Sequence, residues 1–269
     1  MIPKIIKYVW SNDDDNFYYL ASQNSSIKIA RICYTSWKLN LSGYEIIELN
    51  EWNFDYAKHF KKSNFFKFVY EHKLWAFVAD YIRVHDLYLN GGIYLDTDVQ
   101  VLRNFDKFLQ EEFFISFQHW KHDGRYCIEP AVMGCNPGHP LLKEVISFYE
   151  NEYFIQDEPL TIPVVFQKCM EKLYGFRGNK EEVLNDSEKL DLGLKTSKFP
   201  DEYFAQKIVR LSDITIYPEE YFCPKWMSDS NEKPPGSNAI TEKTHCIHWC
   251  NSSWINNNSI DKLKSFQNM

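Results

Sequence analysis

Residues 4–10, Lys-Ile-Ile-Lys-Tyr-Val-Trp, form a near-continuous apolar run that stops at the polar stretch Ser11–Asn16. This predicts a buried first strand, of the kind found in parallel sheets. Residues 24–39 set Ile27, Ala30, Ile32 and Trp37 among polar neighbours and predict a helix, and Tyr44–Leu49 reads as a second strand. Strand, helix and strand within about fifty residues open an α/β domain. A helical pattern from Phe65 to Leu89 follows, with Leu74, Phe77, Val78, Tyr81, Ile82 and His85 at spacings of three and four. Gly91-Gly92 then marks a tight turn into Ile93-Tyr94-Leu95, a short buried strand. Val99–Leu102, Phe113–Trp120 and Cys127–Cys135 predict further strands, the last two separated by a charged loop from His119 to Arg125. Beyond a turn at 136–140 the pattern predicts helices at Leu141–Tyr149 and Thr161–Tyr174 and short strands at Ile208–Leu211 and Ile214–Tyr217. Residues 177–203 and Ser228–Ser237 read as loops.

Composition narrows the class. At 269 residues with 44% hydrophobic content, the chain builds one large core, as a single domain or a domain with an appended lobe. A net charge of −7 argues against nucleic acid as a main partner, because phosphate backbones require a basic face. Seven scattered cysteines do not resemble a disulfide framework and fit a reducing cytoplasm. No apolar run approaches the length of a membrane helix, and the start has no apolar signal segment. Cytoplasmic placement is the expectation.

The chemistry gathers at residues 91–98. On a strand, residues two apart face the same side, so Asp96 and Asp98 are expected to point together. Two carboxylates that close repel one another unless a cation lies between them. Hard divalent ions suit carboxylate oxygens and are often shared with a phosphate. Asp80 and Arg83, three apart on the preceding helix, share a face and are placed to aim at the same point. Near the C-terminus, His245, Cys246, His248 and Cys250 invite a zinc reading, but structural zinc sites use separated ligand pairs and no second pair stands out. The other reading has a strand bring His248 to the metal of the aspartates. Glu129 and Asp123 are read as ordinary carboxylates.

These pieces resemble glycosyltransferase family 32, which takes in the yeast initiating mannosyltransferase and many bacterial capsule and O-antigen sugar transferases. The matching parts are Ile2-Pro3-Lys4-Ile5-Ile6 to Trp10, the Ala79-Asp80-Tyr81-Ile82-Arg83 helix, Gly91 to Asp98, and Ile247-His248 with Ser253-Trp254. Lys7 stands where that family usually has His, and Trp249 and Cys250 replace its usual second His and Trp. The resemblance implies a GT-A fold, a Rossmann-like mixed sheet flanked by helices with an acceptor-side lobe. Residues 1–110 would form the nucleotide-sugar half and 111–269 the acceptor half. It further implies transfer with retention from a nucleotide sugar, most often a UDP-sugar, to a saccharide acceptor, with Mn²⁺ or Mg²⁺. By position, Trp10 would stack on the base beside Val9, Asp80 and Arg83 would hold donor sugar and phosphate, and Tyr94 would touch the nucleotide. Asp96, Asp98 and His248 would hold the metal, with Ser253 and Trp254 closing over the nucleotide. A lipid-linked acceptor would bring the enzyme to the inner face of the membrane, where the Ile260–Phe266 segment would touch it. The alternatives are a haloacid-dehalogenase-like phosphatase, whose aspartate motif continues differently from Gln100, and a non-catalytic carbohydrate- or nucleotide-binding protein.

Overall fold

The computed structural model describes residues 1–10, 25–119, 126–152, 161–176, 206–224 and 240–250. The chain opens with β1 (Ile5–Val9), α1 (Ser25–Asn40) and β2 (Glu45–Leu49), as the apolar runs predict. Three helices follow, α2 (Tyr56–Phe60), α3 (Asn64–Glu71) and α4 (Trp75–Asn90). The single helix expected over 65–89 is therefore two. Lys73 adopts a left-handed φ of 57°, and the Leu74 N–H reaches back to the Val69 carbonyl at 2.8 Å. Leu74 is buried at the break, so apolar spacing runs on unbroken and hides the three-residue turn at 72–74.

β3 (Gly92–Leu95), β4 (Val99–Val101), β5 (Phe113–His119) and β6 (Tyr126–Cys135) come next, then α5 (Pro140–Ser147), a π-turn at Phe148–Glu152 and α6 (Ile162–Tyr174). β7 (Val209–Arg210), β8 (Thr215–Tyr217), α7 (Glu219–Phe222) and β9 (Cys246–His248) complete the described elements. Seven strands make one mixed sheet in the order β2-β1-β3-β6-β5-β8-β7. β1 pairs parallel with both β2 and β3, and β3 and β5 flank β6 antiparallel. β4 and β9 form a separate antiparallel pair. The α/β expectation, a mixed sheet flanked by helices, is what the chain adopts.

Strand alternation divides the core between the two faces. Tyr94, Ile115 and Met133 pack with Phe66, Tyr81, Leu142 and Phe166 under α3 to α6. Ile93, Leu95, Phe114 and Val132 pack on the other side with Trp37 of α1 and with Phe105, Phe108 and Phe222. Across the first interface a buried ion pair joins Lys7 of β1 to Asp86 of α4, and Asn90 holds the second Asp86 oxygen at 2.7 Å. Gly91 and Gly92 carry the turn from α4 into β3 at φ 61° and 104°. A Cβ on Gly91 would lie 2.8 Å from the Cys135 carbonyl, and one on Gly92 2.9 Å from that of Ile5. The pair supplies both the left-handed backbone and the close approach.

Candidate active site at the carboxyl edge of the sheet

α4 and β3 bring the first group together. Arg83 donates to Asp80 at 2.8 Å and to Asp96 at 2.9 Å, and to the Pro130 carbonyl at 3.2 Å. Its guanidinium lies over the Tyr94 ring, 4.3 Å from the centroid, and the Tyr94 hydroxyl donates to Asp96 at 3.0 Å. Asp80 and Arg83 are 6% and 4% exposed. Burial pushes the Asp80 carboxyl up to about 7, although Arg83 pulls the other way. Burial also raises Asp96 against the same guanidinium. Arg83 itself stays firmly charged, because Asp96, Tyr94 and Asp80 together outweigh the cost of its burial.

Asp96 and Asp98 converge, but not by strand alternation. β3 ends at Leu95, and 96–98 form a turn closed by the Val99 N–H on the Asp96 carbonyl at 3.0 Å. The Asp96 N–H is anchored on Ala131 at 2.9 Å. The chain then enters β4, whose Val99 faces His248 of β9. This pairing delivers the imidazole: His248 Nε2 lies 3.3 Å from Asp98, and the Trp249 N–H donates to the Asp98 carbonyl at 3.1 Å. One ligand atom from each of Asp96, Asp98 and His248 falls within 4.8 Å of the other two. Hard oxygens with one imidazole suit Mn²⁺ or Mg²⁺.

The other face of His248 meets Glu129, read from sequence as an ordinary carboxylate, and Cys250. Nδ1 lies 3.6 Å from Glu129 and 3.5 Å from the Cys250 sulfur. Glu129 is 5% exposed and accepts from the Ala131 N–H at 2.9 Å, and burial lifts its carboxyl to about 7. The β5–β6 register slips between Phe114 and Ser116, where Pro130 has no N–H for a ladder bond. That irregularity turns Glu129 and the Pro130 carbonyl into the site. A proline inside an apolar strand, with a carboxylate before it, was the available signal. Cys223, not singled out from sequence, joins His248 and Cys250 within 4.8 Å. The four residues of the zinc reading do not gather at one point. His245 turns to the Asn104 carbonyl at 2.6 Å, and Cys246 packs against that of Phe222. Only His248 and Cys250 of the original four remain. Cys250 holds a left-handed φ of 46°.

The remaining expected residues stand as follows. Val9 is buried at the end of β1 and Trp10 is half-buried just beyond it. The parallel register pairs Lys7 with Tyr94, so β1 and β3 run side by side toward the edge that carries Val9 and Asp96. Ser253, Trp254, Asp123 and the Ile260–Phe266 segment lie outside the described residues. Among the described residues no helix is long and apolar enough to cross a membrane.

Residues 28–115 match the family described as glycosyltransferase sugar-binding region containing DXD motif. The match spans α1 to β5 and includes Asp80, Arg83, Asp96 and Asp98. An uncharacterized glycosyltransferase of Acanthamoeba polyphaga mimivirus is 27% identical over 204 residues, covering 74% of this chain and 72% of that protein. Among solved structures, the PaToxG glycosyltransferase aligns with TM-score 0.48 at 14% identity, over 73% of this chain and 81% of its own. A glycosyltransferase involved in glycosylation of the major capsid of PBCV-1 aligns with TM-score 0.42 at 12% identity, over 98% of both chains. The matched region and the viral relative support a glycosyltransferase, an enzyme that takes a nucleotide-sugar donor and a saccharide acceptor. The same matches favour a transferase over the phosphatase.

Proposed function

We propose that the protein transfers a hexose or N-acetylhexosamine from a UDP-sugar to a saccharide acceptor, with retention at the anomeric carbon. The observation that carries this reading is the convergence of Asp96, Asp98 and His248 to within 4.8 Å, inside and beside the matched sugar-binding region. In this reading the three residues hold Mn²⁺ or Mg²⁺. When bound, the ion neutralises the charge that develops on the leaving diphosphate. Arg83 is a positioning residue: its fork fixes Asp96 between the Tyr94 hydroxyl and the metal side. Asp80, bound to the same guanidinium, is placed for donor-sugar hydroxyls. Val9 and Trp10 frame the nucleotide at the carboxyl end of β1, with Ser253 and Trp254 completing it. The expected nucleotide contact of Tyr94 is corrected, because that ring is 1% exposed beneath Arg83 and serves to hold Asp96. Residues 1–110 then serve the donor and 111–269 the acceptor.

Glu129 gives this half of the site a carboxyl poised to hold or release a proton near neutral pH. Its seat beside His248 supports a role on the acceptor side. Surface polysaccharide, capsule or O-antigen, is the acceptor class the sequence resemblance suggests, at the inner face of the membrane where the acceptor is lipid-linked. UDP release from a panel of UDP-sugars with Mn²⁺ tests the proposal. Turnover that EDTA abolishes is expected, and metal-independent turnover or none with any donor contradicts it. Trp10→Ala is expected to weaken UDP binding by about 1–3 kcal/mol if the ring stacks on the base.

A further inference from the structure

α4 has a second polar side. Asp80 and Arg83 lie on one face, and Tyr81 and His85 fall roughly 150° around the axis. The helix therefore separates the candidate active site from another cluster. There His59 of α2, His85 of α4 and Glu150 of the π-turn each bring one ligand atom within 4.8 Å of the other two. The two imidazoles are buried and meet edge to face, with centroids 4.5 Å apart.

Two atoms of the cluster are orphans. His85 Nε2 and Glu150 Oε1 are shut off from solvent without a hydrogen-bond partner, although they face each other at 3.7 Å. Buried polar atoms left unbonded are uncommon and call for an explanation, an ion among them. A separation of 3.7 Å is too long for a hydrogen bond. It is near the spacing of roughly 3.3–3.5 Å between neighbouring ligands of a tetrahedral Zn²⁺ with bonds of about 2.0–2.2 Å. The Tyr81 hydroxyl, 3.1 Å from Nδ1 of His59, orients that ring, as outer contacts do for ligating imidazoles. Glu150 sits on a π-turn, an irregularity frequent at functional sites.

The geometry points to a structural site for a divalent cation of the Zn²⁺ class, held by His59, His85 and Glu150. Two imidazoles and one carboxylate favour such an ion over Mg²⁺ or Ca²⁺. The ion ties α2, α4 and the turn at 148–152 together, beside the bond from Ser63 Oγ to the Tyr149 carbonyl at 2.8 Å. It thereby braces, from behind, the helix that carries Asp80 and Arg83, and takes no part in transfer.

Equilibrium dialysis of the full chain against Zn²⁺, with bound metal counted by mass spectrometry, tests this. The comparison is wild type with His85→Gln, Glu150→Gln, Cys223→Ser and Asp98→Asn. His85→Gln and Glu150→Gln are each expected to lose one equivalent of Zn²⁺ together with the rise in Tm that it confers. Cys223→Ser and Asp98→Asn are expected to keep that equivalent. Should His85→Gln fail to fold, Glu150→Gln reports alone, since its side chain is 22% exposed. Equal stoichiometry in wild type and in these two variants overturns the site, as does an equivalent lost only in Cys223→Ser. The readout is bound metal, so a failure of the transferase reading leaves this inference standing.

Discussion

The Arg83 group and the His248 group sit side by side and treat charge in opposite ways. Around Arg83 one cation is shared by two carboxylates, a carbonyl and an aromatic face, all within hydrogen-bonding or stacking distance. Around His248 one imidazole faces Asp98 and Glu129 at 3.3 and 3.6 Å, longer than optimal hydrogen bonds, and the Cys250 sulfur at 3.5 Å. The first group is tightly bonded through the two terminal nitrogens of Arg83, while its Nε is buried without a partner. The second is divided between the two ring nitrogens, with Asp98 on Nε2 and Glu129 and Cys250 on Nδ1. A tight ion network fixes where Asp96 points, and the longer His248–Asp98 contact beside it belongs to the three groups that converge within 4.8 Å.

The largest expected effect breaks the tighter side. Arg83→Met leaves Asp80 and Asp96 as uncompensated buried carboxylates, which should lower stability by about 3–5 kcal/mol in urea titrations. Arg83→Lys should recover only part, since an ammonium cannot reproduce the fork. A loss below about 1 kcal/mol would show that the group does not hold the edge together. On the looser side, His248→Gln should weaken Mn²⁺-dependent UDP binding by at least about tenfold, measured by titration calorimetry. An unchanged affinity would remove His248 from the ligand set and leave it to Cys223 and Cys250.

A smaller effect sharpens the comparison through pH. His245 anchors the start of β9, with its carbonyl taking the Leu102 and Arg103 N–H groups. Burial lowers its imidazole from 6.5 to about 4. The unfolded chain therefore binds more protons between pH 6.5 and about 4, so stability is full above 6.5 and falls as pH drops through that window. His59, His85 and His139, also lowered by burial, add to the slope. His245→Gln should reduce the slope near pH 5 by up to about 1.4 kcal/mol per pH unit. An unaltered slope would mean that His245 is protonated in the fold.

Legibility followed sequence distance. Asp80, Arg83, Gly91, Gly92, Asp96 and Asp98 lie within nineteen positions, and helix spacing together with a glycine turn places them near one another. Their convergence was readable, although its means was a turn at 96–98 and not strand alternation. Glu129 and Cys223 reach His248 only through a register slip in β6 and a short helix before β9. No local periodicity records either. The break at Lys73 was hidden for a related reason: Leu74 is apolar and buried on both accounts, so the hydrophobic pattern does not register one left-handed residue. His248 was expected on a strand that carries it to the aspartates, an expectation the family resemblance also implied, and its pairing with Val99 supplies the physical reason.

The most direct test is the melting temperature with UDP in the presence of Mn²⁺ or of EDTA, for wild type and Asp98→Asn. A ligand at a hundred times its Kd stabilises by about 2.7 kcal/mol. Wild type should gain that stability only with Mn²⁺, and Asp98→Asn should show no gain while melting near the wild-type temperature without ligand. A UDP shift that persists in EDTA, or that survives Asp98→Asn unchanged, would contradict a metal–nucleotide site at Asp96, Asp98 and His248.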